Sequence, residues 1–357
     1  MTDIRKHLFA ALACVLAVVM TLALFTGCGP ANNGENTAEP DVTEEPEPTE
    51  EPAKEIPVLA HWKLQNEDGC FTGSVDDDSV GFKDLSGNGN DLIAKVTGNG
   101  AQLDIFEWDT VDSGTVNFKS ALKMNNTKAL AATVDPYNAS ETSYTGGYTS
   151  GKYLETVMGA PLNAHEFKNG FTFEIIFKLS PELDNNYNRY TGIFSRQGVI
   201  EDRNEPPFSI AITEWKNDAS GTIGKNETWM QLILMTDDIS LNNEDDYILI
   251  GADTWHHLML TYDPDMNHLR FLIDGAELFS RTIVIDELPP TGFDLSWEVG
   301  VGRKSANSSD AKGHSMNKNS PAGMIRRLFA GSVAEIRVSD GAIGIEESLY
   351  TSQFVNE

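Results

Sequence analysis

Cysteine is almost absent, with three in 357 residues. Cys14 lies in the first apolar run, Cys28 ends it, and Cys70 stands alone in the remainder of the chain. One leftover thiol cannot build an internal disulfide framework, and no CxxC or Cys/His grouping offers zinc its ligands. Cys70 therefore reads as an ordinary buried or half-buried thiol. Basic residues are scarce as well, 26 against 54 acidic ones, for a formal net charge of −28. That imbalance excludes the usual nucleic-acid binder, whose phosphate contacts need Lys and Arg, and gives no pull toward anionic lipid. There is no GxSxG elbow, no HExxH pair and no P-loop. Helical periodicity is nearly missing too; only residues 345–353 hint at a short helix.

What is present begins with export. Arg5, Lys6 and His7 precede an almost wholly apolar run, residues 8–24, which together have the n-region and h-region of a secretory signal. Such a run is also close to the length of a membrane-spanning helix, so the residues after it decide. Leu24-Phe25-Thr26-Gly27-Cys28 resembles the lipobox of bacterial lipoproteins, with Phe25 where leucine is commoner. The resemblance implies cleavage before Cys28 and a diacylglyceryl group on its thiol. The protein would then be held at the outer face of the bacterial cell membrane, each buried methylene of the acyl chains contributing about 0.8 kcal/mol. Residues 29–55 carry nine carboxylates, one lysine, five prolines and repeated Thr-Glu-Glu-Pro units. They cannot bury enough surface to offset chain entropy and read as a disordered, extended acidic linker. The expected plan is a signal peptide over 1–28, a linker over 29–55 and a folded domain over 56–355.

The folded part is organised around residues 254–275, TWHHLMLTYDPDMNHLRFLIDG. Side chains alternate along a strand, so Trp255, His257 and Met259 share one face and His256, Leu258 and Leu260 the other. Pro264 with its Asp and Asn neighbours makes a turn, a second strand follows, and Asp274-Gly275 signals another hairpin into a third strand. Residues 171–179 alternate strongly, with Phe171, Phe173, Ile175, Phe177 and Leu179 on one side. Further strands are read at 56–64, 192–196, 208–212, 230–235 and 329–338, with a strand pair over 116–130. Residues 137–152 read as a Tyr-, Ser-, Thr- and Gly-rich loop. Many short strands, separated by turns and not by helices, predict an all-β chain, a two-sheet antiparallel β-sandwich.

Taken in order, AHWKL, DLSGNGNDL, FTFEIIFKL, TWHHLMLTYD, LRFLIDG, VGVGR and FAGSVAEIRVSD resemble the laminin G-like, concanavalin A-like jelly-roll domains of many exported bacterial proteins. The likeness spans essentially residues 56–350. It implies two packed sheets, one concave, and a role in binding carbohydrate or another extracellular ligand. Residues 131–165 and 198–250 are longer than that pattern needs and are read as loop insertions, where specificity is commonly placed.

Candidate chemistry follows. Some relatives hydrolyse glycans with carboxylates spaced Glu-x-Asp-x-x-Glu on one strand. Glu107-Trp108-Asp109-Thr110-Val111-Asp112 comes near it, with Glu107 and Asp109 on one strand face but Asp112 in place of the last Glu. Two carboxyls in one cleft are what glycoside hydrolysis needs; the shorter Asp112 and the strand break at Ser113-Gly114 argue against it here. No catalytic residue is assigned. His256 and His257 point to opposite faces and cannot jointly hold a metal, so they read as packing and surface residues. A structural calcium could use the 84–91 loop, since oxygen ligands are plentiful there, but Ala334 stands where such relatives often carry Asp; Asp84 and Asn88 could equally just close the turn. No metal ligand and no cofactor are assigned. Stacking on a sugar ring needs an open aromatic face. Trp62, Trp255 and Trp297 read as core, which leaves Trp108, Trp215, Trp229, Tyr144 and Tyr148 as ligand-binding candidates, with Tyr187 and Tyr190 in similar loops. The expected partner is an extracellular glycan or a surface protein. The expected function is a lipid-anchored, non-catalytic binding module; a glycan-active enzyme and a purely adhesive protein are the alternatives.

Overall fold

The computed structural model describes residues 55–97, 104–112, 114–126, 151–180, 191–196, 208–213, 227–236, 239–241, 248–251, 253–286, 288, 296–304 and 325–355. For residues 97, 191, 211–213, 227–236, 239–241, 248, 249, 302–304 and 325–327 the description is of backbone alone. The lipobox with Cys28, the 29–55 linker up to residue 54 and residues Tyr144, Tyr148, Tyr187, Tyr190 and Trp215 lie outside the described residues.

In chain order the first strands are β1 (Val58–Lys63), β2 (Phe71–Thr72), β3 (Gly81–Phe82), β4 (Leu92–Thr97) and β5 (Phe106–Thr110). Next come β6 (Ser120–Asn125), β7 (Gly151–Thr156), β8 (Phe171–Leu179), β9 (Thr191–Arg196) and β10 (Phe208–Thr213). They are followed by β11 (Glu227–Thr236), β12 (Ile239–Leu241), β13 (Ile248–Gly251), β14 (Trp255–Asp263) and β15 (His268–Ile273). The last are β16 (Ala276–Thr282), β17 (Trp297–Val299), β18 (Val301–Lys304), β19 (Ile325–Leu328) and β20 (Ala330–Ser339), before one short helix, α1 (Leu349–Gln353).

An eight-stranded sheet runs β16-β15-β14-β8-β20-β6-β5, and a ten-stranded sheet runs β12-β11-β10-β9-β17-β7-β4-β3-β2, with β13 also on β11. In the first sheet, β6 pairs with the first half of β20 and β1 with the second half. All described pairings are antiparallel. The two-sheet antiparallel β-sandwich expected from the strand pattern is what the chain forms.

The core lies where the inner faces meet. Phe171, Phe173, Ile175, Phe177, Leu258, Leu260, Phe271, Ile336 and Val338 from the first sheet join Phe82, Leu92, Leu154, Phe194, Phe208, Trp297 and Val299 from the second. Trp62, expected in the core, is there with no exposure. Trp255 is buried on the opposite face of its sheet, in a second apolar cluster with Phe118, Ile176, Ala334 and Leu349. That second cluster explains why β8 is buried on both faces although its sequence alternates apolar with polar residues.

Two expectations need correction. Residues 131–165 and 198–250 were read as loop insertions; the strands read within them at 208–212 and 230–235 are β10 and β11, but β7, β12 and β13 lie in them too, and all five belong to the ten-stranded sheet. In β7 the inward residues are Lys152, Leu154 and Thr156, so two polar side chains on the core side hide the alternation that marks a strand. The strand pair expected over 116–130 is, within the described residues, one strand, β6, plus a lone bridge from Val116 to Phe354.

Inside the core sits a charge. Arg196 has no solvent exposure; its guanidinium lies 5.8 Å from the Phe167 ring centroid and 5.5 Å from that of Trp297. It donates to the carbonyl oxygens of Leu288 (2.5 Å) and Asn163 (3.0 Å). Burial pulls its pKa down from the usual arginine range to about 10, with the Glu166 carboxylate opposing the change.

The Asp274-Gly275 hairpin is also as expected, both residues having positive φ (51° and 78°), the backbone of the tight turn that suits strand twist. A Cβ at Gly275 would lie 2.6 Å from Tyr350 Cε1. Gly275→Ala is expected to destabilise the fold by more than about 1 kcal/mol, read as a lower urea midpoint at unchanged slope.

Candidate binding face

The register of the ten-stranded sheet brings a polar row together. Glu155 on β7 is opposite Glu298 on β17, Glu298 is opposite Ser195 on β9, and Ser195 is opposite Ser209 on β10. Leu154, Val299, Phe194 and Phe208, their chain neighbours, belong to the core. Alternation therefore turns the polar row to the face away from it. Directly opposed antiparallel residues have Cβ atoms about 4.5–5.5 Å apart, so the two carboxylates are close neighbours. Both are desolvated, at 8% exposure for Glu155 and 0% for Glu298.

Neighbouring side chains contact both of them. Lys95 Nζ lies 2.8 Å from Glu155 Oε1, the Tyr153 hydroxyl donates to Glu155 Oε2 at 3.4 Å, and Ser296 Oγ donates to Glu298 Oε1 at 3.2 Å. Lys95 and Tyr153 are themselves register partners on β4 and β7. Ser195 Oγ donates to the Val301 carbonyl at 2.7 Å, and Val301 and Leu328 pack with Tyr153, so β18 and β19 lie against this face. The result is a compact set of carboxylate acceptors, hydroxyls, one ammonium and one phenol ring on a rigid sheet. The carboxylates and hydroxyls can receive the hydrogens of a polyhydroxylated ligand, and the ammonium can donate to its oxygens. Sequence reading missed Glu155 and Glu298 because one follows a stretch read as loop and the other sits on a three-residue strand. The alternation in Tyr153-Leu154-Glu155 was the available signal.

The residues singled out from the sequence lie elsewhere. Glu107 and Asp109 do share a face, that of the eight-stranded sheet turned away from the core, but each faces a lysine. Lys123 Nζ is 2.7 Å from Glu107 Oε1, and Lys178 Nζ is 2.9 Å from Asp109 Oδ2, which also accepts from Ser332 Oγ at 2.6 Å. Register continues this strip to Trp255, whose ring centroid is 5.2 Å from Lys178 Nζ. Asp112 is exposed beyond the end of β5. Trp108 lies on β5, where its ring packs edge-on against Phe71 and Phe82 at 5.1 and 6.1 Å. Trp229 lies on β11, with its side chain outside the description.

The 84–91 loop is held by its own hydrogen bonds. Asp84 Oδ1 accepts from the His61 and Ser86 amides, both at 3.0 Å, and Oδ2 accepts from the Asn90 amide at 3.0 Å. Asn88 donates to the carbonyls of Val58 and Leu59 at 2.9 and 3.0 Å. Among the described residues no group of three or more His, Cys, Asp or Glu is placed to hold a metal ion.

His256 and His257 point to opposite faces as expected, but neither is a surface residue; their exposures are 8% and 0%. His256 Nδ1 is 2.8 Å from Asp274 Oδ2, and its Nε2 is 3.1 Å from the Gly251 carbonyl. Burial pushes its pKa down, yet the hydrogen bond and charge of Asp274 prevail and raise it above 6.5. His257 Nε2 is 3.1 Å from the buried Glu174. The Cys70 thiol is buried, and that burial raises its pKa, so it behaves as packing.

No protein-family model and no curated protein matches the chain. Solved structures do. Domain 4 of an extracellular GH43 arabinanase from Geobacillus stearothermophilus, in complex with arabinotriose, is similar at 14% identity and a TM-score of 0.39, over 82% of this chain and 97% of that one. The CBM40 of the Ruminococcus gnavus IT-sialidase bound to α2,3 sialyllactose is similar at 14% identity and a TM-score of 0.33, over 54% and 85%. The binding domain of botulinum neurotoxin serotype D is similar at 12% identity and a TM-score of 0.40, over 83% of this chain and 51% of that one.

Proposed function

We propose that the chain is a lipid-anchored cell-surface binding module that recognises carbohydrate or another extracellular ligand and does not transform it. The observation that carries this reading is the polar row Glu155–Glu298–Ser195–Ser209 on the face of the ten-stranded sheet away from the core; β18 and β19 close over Ser195 and Tyr153, and a ligand would reach the row from its end at Glu155 and the half-exposed Lys95. Carboxylates and hydroxyls there suit the hydroxyl groups of a glycan. Trp108, Tyr144, Tyr148, Trp215 and Trp229 remain proposed ligand-binding residues. The ion pairs of Glu107 and Asp109 with Lys123 and Lys178 support a non-catalytic reading of that segment.

A second reading has its own observation. Glu155 and Glu298 stand directly opposite each other on adjacent strands, and retaining glycosidases use carboxyl groups only about 5–5.5 Å apart. Incubating the chain from Ile56 onward with soluble polysaccharides separates the two. Retention of polymer without new reducing ends supports the binding module. Reducing ends that disappear in Glu155→Gln and Glu298→Gln support the hydrolase.

The lipid anchor is proposed from residues 8–28 alone. Cys28→Ala is expected to abolish acyl labelling and to release the protein from the membrane fraction. A variant still labelled with palmitate and processed normally would overturn the anchor.

A further inference from the structure

We propose that Lys152 and Asp78 form an intramolecular isopeptide bond, a side-chain amide that clamps the loop between β2 and β3 to the centre of the sandwich. Lys152 is on the core side of β7, with a side chain only 4% exposed, and its Nζ contacts Asp78 Oδ1. In the other described lysine–carboxylate pairs the lysine side chain is 20% exposed or more. The contact lacks the geometry of a hydrogen bond, and Asp78 Oδ1 has no hydrogen-bond partner at all. On its apolar side Nζ is 6.0 Å from the Phe106 ring centroid. A buried ion pair is favourable only when hydrogen bonds complete it. Here Asp78 Oδ1 lacks one, the Asp78 side chain is 16% exposed, and the Lys152 nitrogen already touches the carboxylate it would attack.

Both partners are fixed by their backbones. The Lys152 amide donates to Asn126 Oδ1 and its carbonyl accepts from Asn126 Nδ2, each at 3.0 Å. Asn126 is itself anchored to the Phe329 carbonyl at 2.7 Å. Asp78 sits at φ 61°, a left-handed backbone that a non-glycine residue adopts only when its surroundings impose it. The imposing contacts are local. Ser74 donates its amide to Ser79 Oγ at 3.0 Å, and Gly73, at φ 73°, leaves no room for a Cβ beside the Ser79 carbonyl. Holding two reacting groups in contact this way replaces an encounter step by an intramolecular one.

The reaction balances without a co-reactant. A proton passes from the Lys152 ammonium to the Asp78 carboxylate, and the freed amine lone pair attacks Cγ. The tetrahedral adduct collapses as the C–O bond breaks and one water leaves. Ammonium plus carboxylate equals amide plus water, with no change of oxidation state.

Tryptic digestion of the denatured full chain followed by tandem mass spectrometry tests this. The expected product joins the peptide over 64–83 to one over 129–168, lighter than their sum by one water and uncut after Lys152. In Lys152→Arg the joined product should vanish and the 64–83 peptide appear free. A free 64–83 peptide together with cleavage after Lys152 in the unmutated chain overturns the proposal. That digest decides by itself even if the variant fails to fold.

Discussion

Replacing Glu174 by alanine is expected to lower the unfolding free energy by about 3–5 kcal/mol, the range found when one partner of a buried ion pair is removed. Glu174 has no exposure and lies on the outward face of β8. Its Oε1 is 3.1 Å from His257 Nε2 on β14 and accepts the Leu349 amide, at the start of α1, at 2.6 Å. Its Oε2 accepts from Arg337 Nε on β20 at 2.6 Å. Arg337 also donates to the Glu347 carbonyl at 2.7 Å. One carboxylate thus sutures three strands and holds the C-terminal segment over the second apolar cluster. Burial alone would raise its pKa, but the His257 hydrogen bond and the Arg337 charge outweigh that and lower it from 4.5. A lowered native pKa contributes stability that is present above the unfolded value and lost as pH falls through the native one. Urea unfolding should therefore show the widest gap between wild type and Glu174→Ala near neutrality. The gap should narrow as pH falls below 4.5. A gap independent of pH would show that the carboxylate charge is not what holds the network.

Trp297→Ala should cost a similar amount, about 3–5 kcal/mol, through cavity formation in the core. The ring is fully buried among Phe167, Phe173, Phe194 and Phe208, with centroids 5.7, 5.3, 5.1 and 5.7 Å away. It donates from Nε1 to the Leu162 carbonyl at 3.2 Å. It is also one of the two rings flanking the buried Arg196. The substitution removes that aromatic face and one of the two donors to the Leu162 carbonyl, the His165 amide being the other, and leaves a void. Trp297→Phe, which keeps a ring near Arg196, should lose clearly less in thermal unfolding. Equal losses for the two variants would mean that the indole hydrogen bond matters more than the ring and its volume.

The fold was legible in the sequence wherever one face of a strand is apolar and the other polar. Residues 254–275 and β8 carry that alternation or its fully buried equivalent, and both lie where expected. It was illegible where polar side chains face inward. Lys152 and Thr156 on the core side of β7 disguised a central strand as the end of a loop, and with it Glu155. Short strands hide for another reason. The three residues of β17 are too few to show a period, although Glu298 and Trp297 occupy opposite faces of a central strand. Pairing Glu155 with Glu298 depends on a contact between residues far apart in the chain, which local pattern does not specify. The Glu107–Asp109 segment taught the converse. Its spacing was read correctly as one strand face, but which groups share that face is set by the neighbouring strands, and these supply Lys123 and Lys178.

The central claim is that the outward face of the ten-stranded sheet binds the ligand. Its most direct test is a glycan array probed with the chain from Ile56 onward, alongside the same chain carrying both Glu155→Gln and Glu298→Gln. Circular dichroism would show that the two share one fold. The account predicts that wild type retains a defined set of glycans and that the double variant loses them by about tenfold or more, since carboxylates that accept ligand hydroxyls form hydrogen bonds of about 1.5–3 kcal/mol. Unchanged binding by a folded double variant would contradict it and move the site away from this face.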